Sequence, residues 1–233
     1  MNTRAAARTA GILFVVADGA GIAAGGLENR VRNDPIDLAS VATHRTSLES
    51  AATQELIMAV ACVTIAVVLY PVLRRWSERL ALGYVVCRTV EGVLYAISVV
   101  GLLTVVALGR EGRADSRQLA GLVRTTRDWN NFALLYMTFA ISAAVLSVAL
   151  YRSVLVPRWL AGWGIVGAVL YFASGLAVVF GLAADSSTQT AGAAALAAQE
   201  LVLAIWLIVR GFDERVRVAS RTPDTPSLTA GKR

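Results

Sequence analysis

The sequence predicts an all-α fold: a polytopic membrane bundle of six transmembrane helices with short outer interfacial helices. Three observations carry that expectation. Of the 233 residues, 56% are hydrophobic and only 16% charged, against roughly 25% charged in soluble domains. Mean hydropathy is +0.61. The apolar residues also come in runs of about 20, the length that takes an α-helix across a hydrocarbon core, and arginines sit at the ends of those runs. The net charge of +6 is therefore topological. No basic patch is interleaved with aromatics, so a nucleic-acid partner is not expected.

The first span covers about residues 9–27 and follows Arg4 and Arg8. Those arginines, with small residues near Ala24, also fit a signal peptide. Asp18 in the middle of the apolar stretch and the multispanning chain behind it favour a retained helix. In "NDPIDLAS", Asp34 can cap a short helix, Pro35 can take its first position, and Asp37 can face its positive end. Thr46 and Glu49 in "TSLE" have capping-box spacing, so the second membrane helix should start before its apolar part, at about 50–73. Arg74, Arg75 and Arg79 separate it from the third span, about 80–108.

In "DSRQLAGLVRTTRDWN", Asp115 and Gln118 have box spacing, and Leu119, Leu122, Val123, Thr126 and Trp129 recur at helical intervals. Two readings stay open for this loop: an amphipathic helix at the outer interface with Trp129 at headgroup depth, or a solvated extension of the fourth span. The remaining spans fall at about 131–151, 158–183 and 190–210, with Arg152 and Arg158 at one junction and Arg210 opening the tail. Most of the 22 basic residues then lie on the side of both termini, which the positive-inside rule assigns to the cytoplasmic face of the cell membrane. Arg110, Arg113, Arg117, Arg124 and Arg127 fall on the other side and narrow the margin. The expected organisation is a six-helix domain over 1–212 and a disordered basic tail over 213–233, rich in Pro, Thr and Ser and able to touch anionic lipid.

Cys62 and Cys87 lie in apolar runs without CxxC spacing and read as small core residues. His44 lies in a polar loop. Nothing in this set calls for a metal or a cofactor.

Four ionisable residues sit well inside spans: Asp18, Arg88, Glu91 and Glu200. At 1.5 Å rise per residue, Asp18, Arg88 and Glu200 lie about 13–15 Å from the inner boundary and Glu91 roughly 18 Å. A lipid-facing charge at mid-helix costs about 2.5–3.5 kcal/mol on insertion scales, so four residues at matching depth should converge on one interior site. Arg88 and Glu91, at i and i+3, share a face and can pair. A guanidinium can hold two carboxylates at once. Three acids against one base leave a negative excess that a proton, a cation or a basic ligand must balance. Gln54 and Glu55, near the outer end of the second helix, are expected at the mouth rather than in the cluster. Ala17, Gly21 and Gly25 in the first helix, and Gly164 and Gly167 in the fifth, allow close helix approach within the bundle or in a dimer.

Three stretches, "RAAARTAGILF", "CRTVEGVLYA" and "VPRWLAGWGIVG", together resemble the prokaryotic integral membrane family catalogued as domain of unknown function 4386, over about residues 4–210. The resemblance implies a six-helix layout and an Arg-x-x-Glu element in the third helix, here Arg88 to Glu91, and brings no established activity. Gly92 stands where the family pattern leads one to expect a small residue such as alanine.

The leading functional expectation is a polar core that binds a proton, cation or small polar solute, in a transporter-like or sensor-like protein. The alternative is a structural or assembly protein whose cluster only locks helices together. A third reading, an intramembrane lipid-modifying enzyme using Glu91 and Glu200 as acid and base, lacks a Ser/His pair, HExxH or metal-binding motif to accompany it. Membrane lipids are the expected partners, and nothing in the sequence supports an oligomer over a monomer.

Overall fold

The computed structural model describes residues 3–31, 37–111, 115–181 and 187–213. The described chain is helical: α1 (Thr3–Glu28), α2 (Leu38–Thr43), α3 (Arg45–Leu73), α4 (Glu78–Glu111), α5 (Ser116–Trp129), α6 (Tyr136–Ser153), α7 (Arg158–Val179) and α8 (Ser187–Val209). Helices stand where all six apolar runs place them. Five helical stretches, counting α5 through α6 as one, are long and apolar enough to cross a membrane, and the described part of α8, Ala193–Val209, is a shorter apolar helix.

The packing is that of a membrane bundle. Small side chains such as Ala7, Ala10, Ala66, Ala161 and Ala204 fill the interior, whereas Val60, Val100, Val169 and Ile205 turn 51–65% of their surface outward. Without water to drive aliphatic burial, close approach at small residues holds the helices together. A Cβ at Gly11 would fall 2.7 Å from the Ala204 carbonyl oxygen, and one at Gly167 would fall 3.2 Å from Leu196 Cδ1, so these glycines seat α1 and α7 on α8. Gly164 likewise seats α7 against Ser147 and Gln199, and Gly21 seats α1 against Met58. A Cβ at Gly25 would meet nothing within 4 Å, so close packing does not explain that glycine.

Neighbouring helices form a closed ring, α1–α3–α4–α6–α7–α8 and back to α1. The start of α1 and the residues just after α8 meet at one end of the bundle, where the Asp213 amide donates to Leu155 O (3.0 Å) and Gly211 lies beside Arg4 and Ala7. Gly211 adopts φ +74°, the left-handed turn that ends α8 with its amide on Trp206 O. One apolar core, including Phe14, Leu69, Tyr84 and Leu207, fills that end; a second, including Val41, Leu48, Leu102 and Ala120, fills the far end.

Local start signals fare unevenly. Asp37 caps α2, its carboxylate accepting from the Ala39 amide at 3.0 Å, so this short helix starts just after Asp37. Asp34, Pro35 and the tail beyond residue 213 lie outside the described residues. The Thr46–Glu49 box does not form: α3 already runs from Arg45, and Glu49 pairs with Arg45 at 2.6 Å. Asp115 takes the cap position of α5 without a side-chain cap bond. The fifth predicted span stops early, because α7 ends at Val179 and Gly181 turns to φ +98°.

α5 runs through a π-helical turn, Asn130–Leu135, straight into α6. The loop is thus an extension of the fourth span, with one face packed on α4 rather than lying apart in the interface plane. Asn130 holds the junction by donating to Leu94 O at 3.0 Å. Trp129 points outward, 48% exposed.

Candidate functional site

Arg88 lies in the middle of the ring with 2% of its surface exposed. Helix α4 supplies three of the groups there, because Tyr84, Arg88 and Glu91 share one helical face. Nη1 of Arg88 donates to Glu91 Oε2 at 3.0 Å, Nη2 to Glu200 Oε1 at 3.0 Å, and Nε to the Tyr84 hydroxyl at 3.1 Å. Nη1 also reaches Cys62 Sγ on α3 at 3.5 Å. The rings of Phe14, Tyr84 and Phe139 stand 5.2–5.6 Å from the guanidinium carbon, a distance at which ring faces attract a cation. Ser142 on α6 donates to the other oxygen of Glu91. One side chain therefore contacts α1, α3, α6 and α8 from its place on α4, and every nitrogen of its fork has an acceptor.

Asp18 belongs to the same neighbourhood without a direct bond. It lies within electrostatic reach of Arg88 and Glu200, is half-buried, and its Oδ2 is buried without a hydrogen-bond partner. Of the four residues expected to converge, three are bonded together and the fourth stands beside them. The sequence reading missed Tyr84, Cys62, Phe14, Phe139 and Ser142. Tyr84 was findable one turn before Arg88; the others come from different helices and carry no local signal.

Glu55 is buried. It accepts from Arg127 Nη2 at 2.6 Å and from Ser98 Oγ at 3.2 Å. Arg127 also grips Glu28 through both nitrogens, at 2.7 and 2.8 Å, and its Nε donates to the Ser98 carbonyl and hydroxyl oxygens. A second arginine thus ties α1, α3, α4 and α5 at the far end. Gln54, half-buried, stands next to Glu55 in sequence and takes no part in these bonds.

A model of the family described as Domain of unknown function (DUF4386) matches residues 9–211. The chain belongs to that family. Neither the curated proteins nor the solved structures gave a match. In this DUF4386 chain the Arg-x-x-Glu element is the part of the central tie made within one helix. Gly92 behind it has a steric reason: a Cβ there would fall 2.9 Å from Val63 Cγ2 and 3.3 Å from Ala59 O, so α3 and α4 close over the missing side chain. Gly92→Ala is expected to fold but lose about 1–2 kcal/mol, since Val63 can turn aside and the Ala59 backbone cannot. Thermal unfolding in nanodiscs checks this, and an unchanged midpoint would show that the helices separate freely there.

Proposed function

We propose that the centre of the ring binds a proton, a cation or a small polar solute, and that this DUF4386 protein acts as a transporter-like or sensor-like component of the cell membrane with both termini in the cytoplasm. The observation that carries the reading is the Asp18 carboxylate, with one oxygen buried and unpartnered beside an arginine already shared by two acids. The positive charge of Arg88 is committed, so compensation for Asp18 has to come from a bound proton, ion or ligand. The collection of Arg4, Arg74, Arg75, Arg152, Arg158 and Arg210 at helix ends on the terminus-bearing side supports the orientation. A fluorescent carboxy-terminal fusion together with an inactive alkaline-phosphatase fusion is the outcome expected for a cytoplasmic tail.

The competing reading, a helix lock with no ligand, draws on the completeness of the Arg88 bonds. The two separate on Asp18. Purified protein in nanodiscs is heated across roughly pH 5–9, comparing wild type with Asp18→Asn, Glu91→Gln and Glu200→Gln. For a binding site, Asp18→Asn keeps or raises the unfolding midpoint and flattens its pH dependence, while the other two substitutions lower it. Equal losses in all three, with no pH dependence to remove, leave only the lock.

A further inference from the structure

The tie that Arg127 forms at the far end of the bundle brings two acids to one atom. Its Nη2 donates both to Glu28 Oε1 at 2.8 Å and to Glu55 Oε1 at 2.6 Å, so carboxyl groups from α1 and α3 come within hydrogen-bonding reach of each other. Their four oxygens are not used alike. Both of Glu28 accept from Arg127, and Glu55 Oε1 accepts from Arg127 and from the Ser98 hydroxyl at 3.2 Å. Glu55 Oε2 is buried without a partner. An ionised carboxylate only accepts, and burying its charge at an oxygen that meets no donor is costly, whereas a protonated carboxyl has no charge to desolvate. The two side chains also differ in access. Glu28 is 25% exposed and lines a partly open cavity of about 90 Å³ with Arg124, Asp128 and Asn131, while Glu55 is 8% exposed and lies outside that lining.

We propose that the Glu28–Glu55 pair is a second proton-binding site, with the proton carried on Glu55 Oε2 and the cavity beside Glu28 as its way in. Two carboxylates this close resist ionising together, and one proton relieves both their repulsion and the buried charge. Glu55 then stays in the tie as a neutral acid that still accepts at Oε1, and Glu28 keeps its ion pair with Arg127. The charged groups facing the pair are Arg127 of α5 and, on the Glu28 side of the cavity, Arg124 and Asp128 of the same helix; α4 contributes the neutral Ser98 hydroxyl. Release of the proton leaves both acids charged on one nitrogen and loosens the hold of α5 on α1 and α3, so the tie responds to pH on the face away from the termini. The site is separate from the central one: Ser98 follows Arg88 by ten residues of α4, about 15 Å at 1.5 Å per residue. It stands or falls independently of the reading of Asp18.

The test follows the carbonyl stretch of protonated carboxyl groups by infrared spectroscopy, on the purified full-length protein in nanodiscs titrated across roughly pH 5–9. One component of that band is expected to belong to the pair. It should be absent from Glu55→Gln and present in Asp18→Asn, which separates it from the central site. In Glu28→Gln it should disappear at a pH about one unit or more below that of wild type, since the whole charge of Arg127 then falls to Glu55. Unfolding midpoints report that the variants are folded. Ser98→Ala is a smaller change that removes one donor from Glu55 Oε1, and it should shift the component in frequency without deleting it. A band that Glu55→Gln leaves unchanged overturns the site. A component deleted by Glu55→Gln whose pH dependence Glu28→Gln does not alter overturns the pair, the proton then being held by the burial of Glu55 alone. Should the Gln variants not fold, a wild-type band that Ser98→Ala does not move overturns the site as well.

Discussion

Arg88→Ala is expected to cost about 3–5 kcal/mol, the range for removing one partner of a buried ion pair. The reason lies in what remains. Glu91 and Glu200, 0% and 5% exposed, would face each other inside the ring with no cation between them, while Tyr84 and Cys62 lose their shared partner. Arg88→Lys should rescue little of this, because an ammonium offers one point of charge where the fork now reaches Glu91, Glu200 and Tyr84 in three directions. The informative contrast is Arg88→Met with Glu91→Leu and Glu200→Leu together, which removes every member of the pair at once. Such replacements are often neutral or stabilising, so the triple variant should unfold at a higher midpoint than Arg88→Ala. An Arg88→Ala protein within about 1 kcal/mol of wild type would mean that water or a neighbouring group takes over the acids, and the lock described above would be wrong.

The second large effect is expected at Gly11→Val. The added side chain starts 2.7 Å from the Ala204 carbonyl oxygen and 2.7 Å from Ile208 Cγ1, and the first of these is backbone. α1 and α8 must then move apart, at about 2–3 kcal/mol or more for overpacking that no side-chain rotation relieves. The displacement reaches the site, because α8 carries Glu200 and α1 carries Phe14 and Asp18. Gly11→Val should therefore lower the unfolding midpoint and also make Arg88→Ala less costly in its background, a coupling measurable in a double-mutant cycle. Strictly additive losses would show that the α1–α8 contact and the Arg88 network are independent.

How much of this was legible without coordinates depends on whether the signal is local. Apolar runs and their arginine borders depend on neighbours in sequence, and the helices stand on them. The Arg88–Glu91 pair was legible because i and i+3 share a face, and Glu200 was legible as a residue at matching depth. Depth counts height but not azimuth, which is why it could bring Asp18 to the site but not tell that it stands beside the bonds rather than in them. Arg127 was counted as a loop charge, since its partners Glu55 and Glu28 lie 72 and 99 positions earlier in the chain. The same blindness hid the partner of Glu55. The polar "RDWN" read as a boundary, yet Asn130 and Arg127 spend their polarity on α4 and the helix runs on. Capping boxes failed where i,i+4 pairing offered the same carboxylate a better partner, as at Glu49.

The ring is closed by its first and last members, and this sets a schedule for biogenesis. Glu200 follows Arg88 by 112 residues, about 6–22 s of synthesis at 5–20 residues per second. During that interval α4 has to enter the bilayer with a guanidinium whose one bonded carboxylate is its own Glu91, with Asp18 of α1 standing nearby without a bond. The short-range pair is thus the one that makes insertion feasible, and the long-range pair arrives later to finish assembly. A ribosome-arrested chain ending before α8 should therefore hold its third hydrophobic segment in the membrane when Glu91 is present and release or mis-orient it when Glu91 is leucine, whereas changing Glu200 should affect only the completed protein.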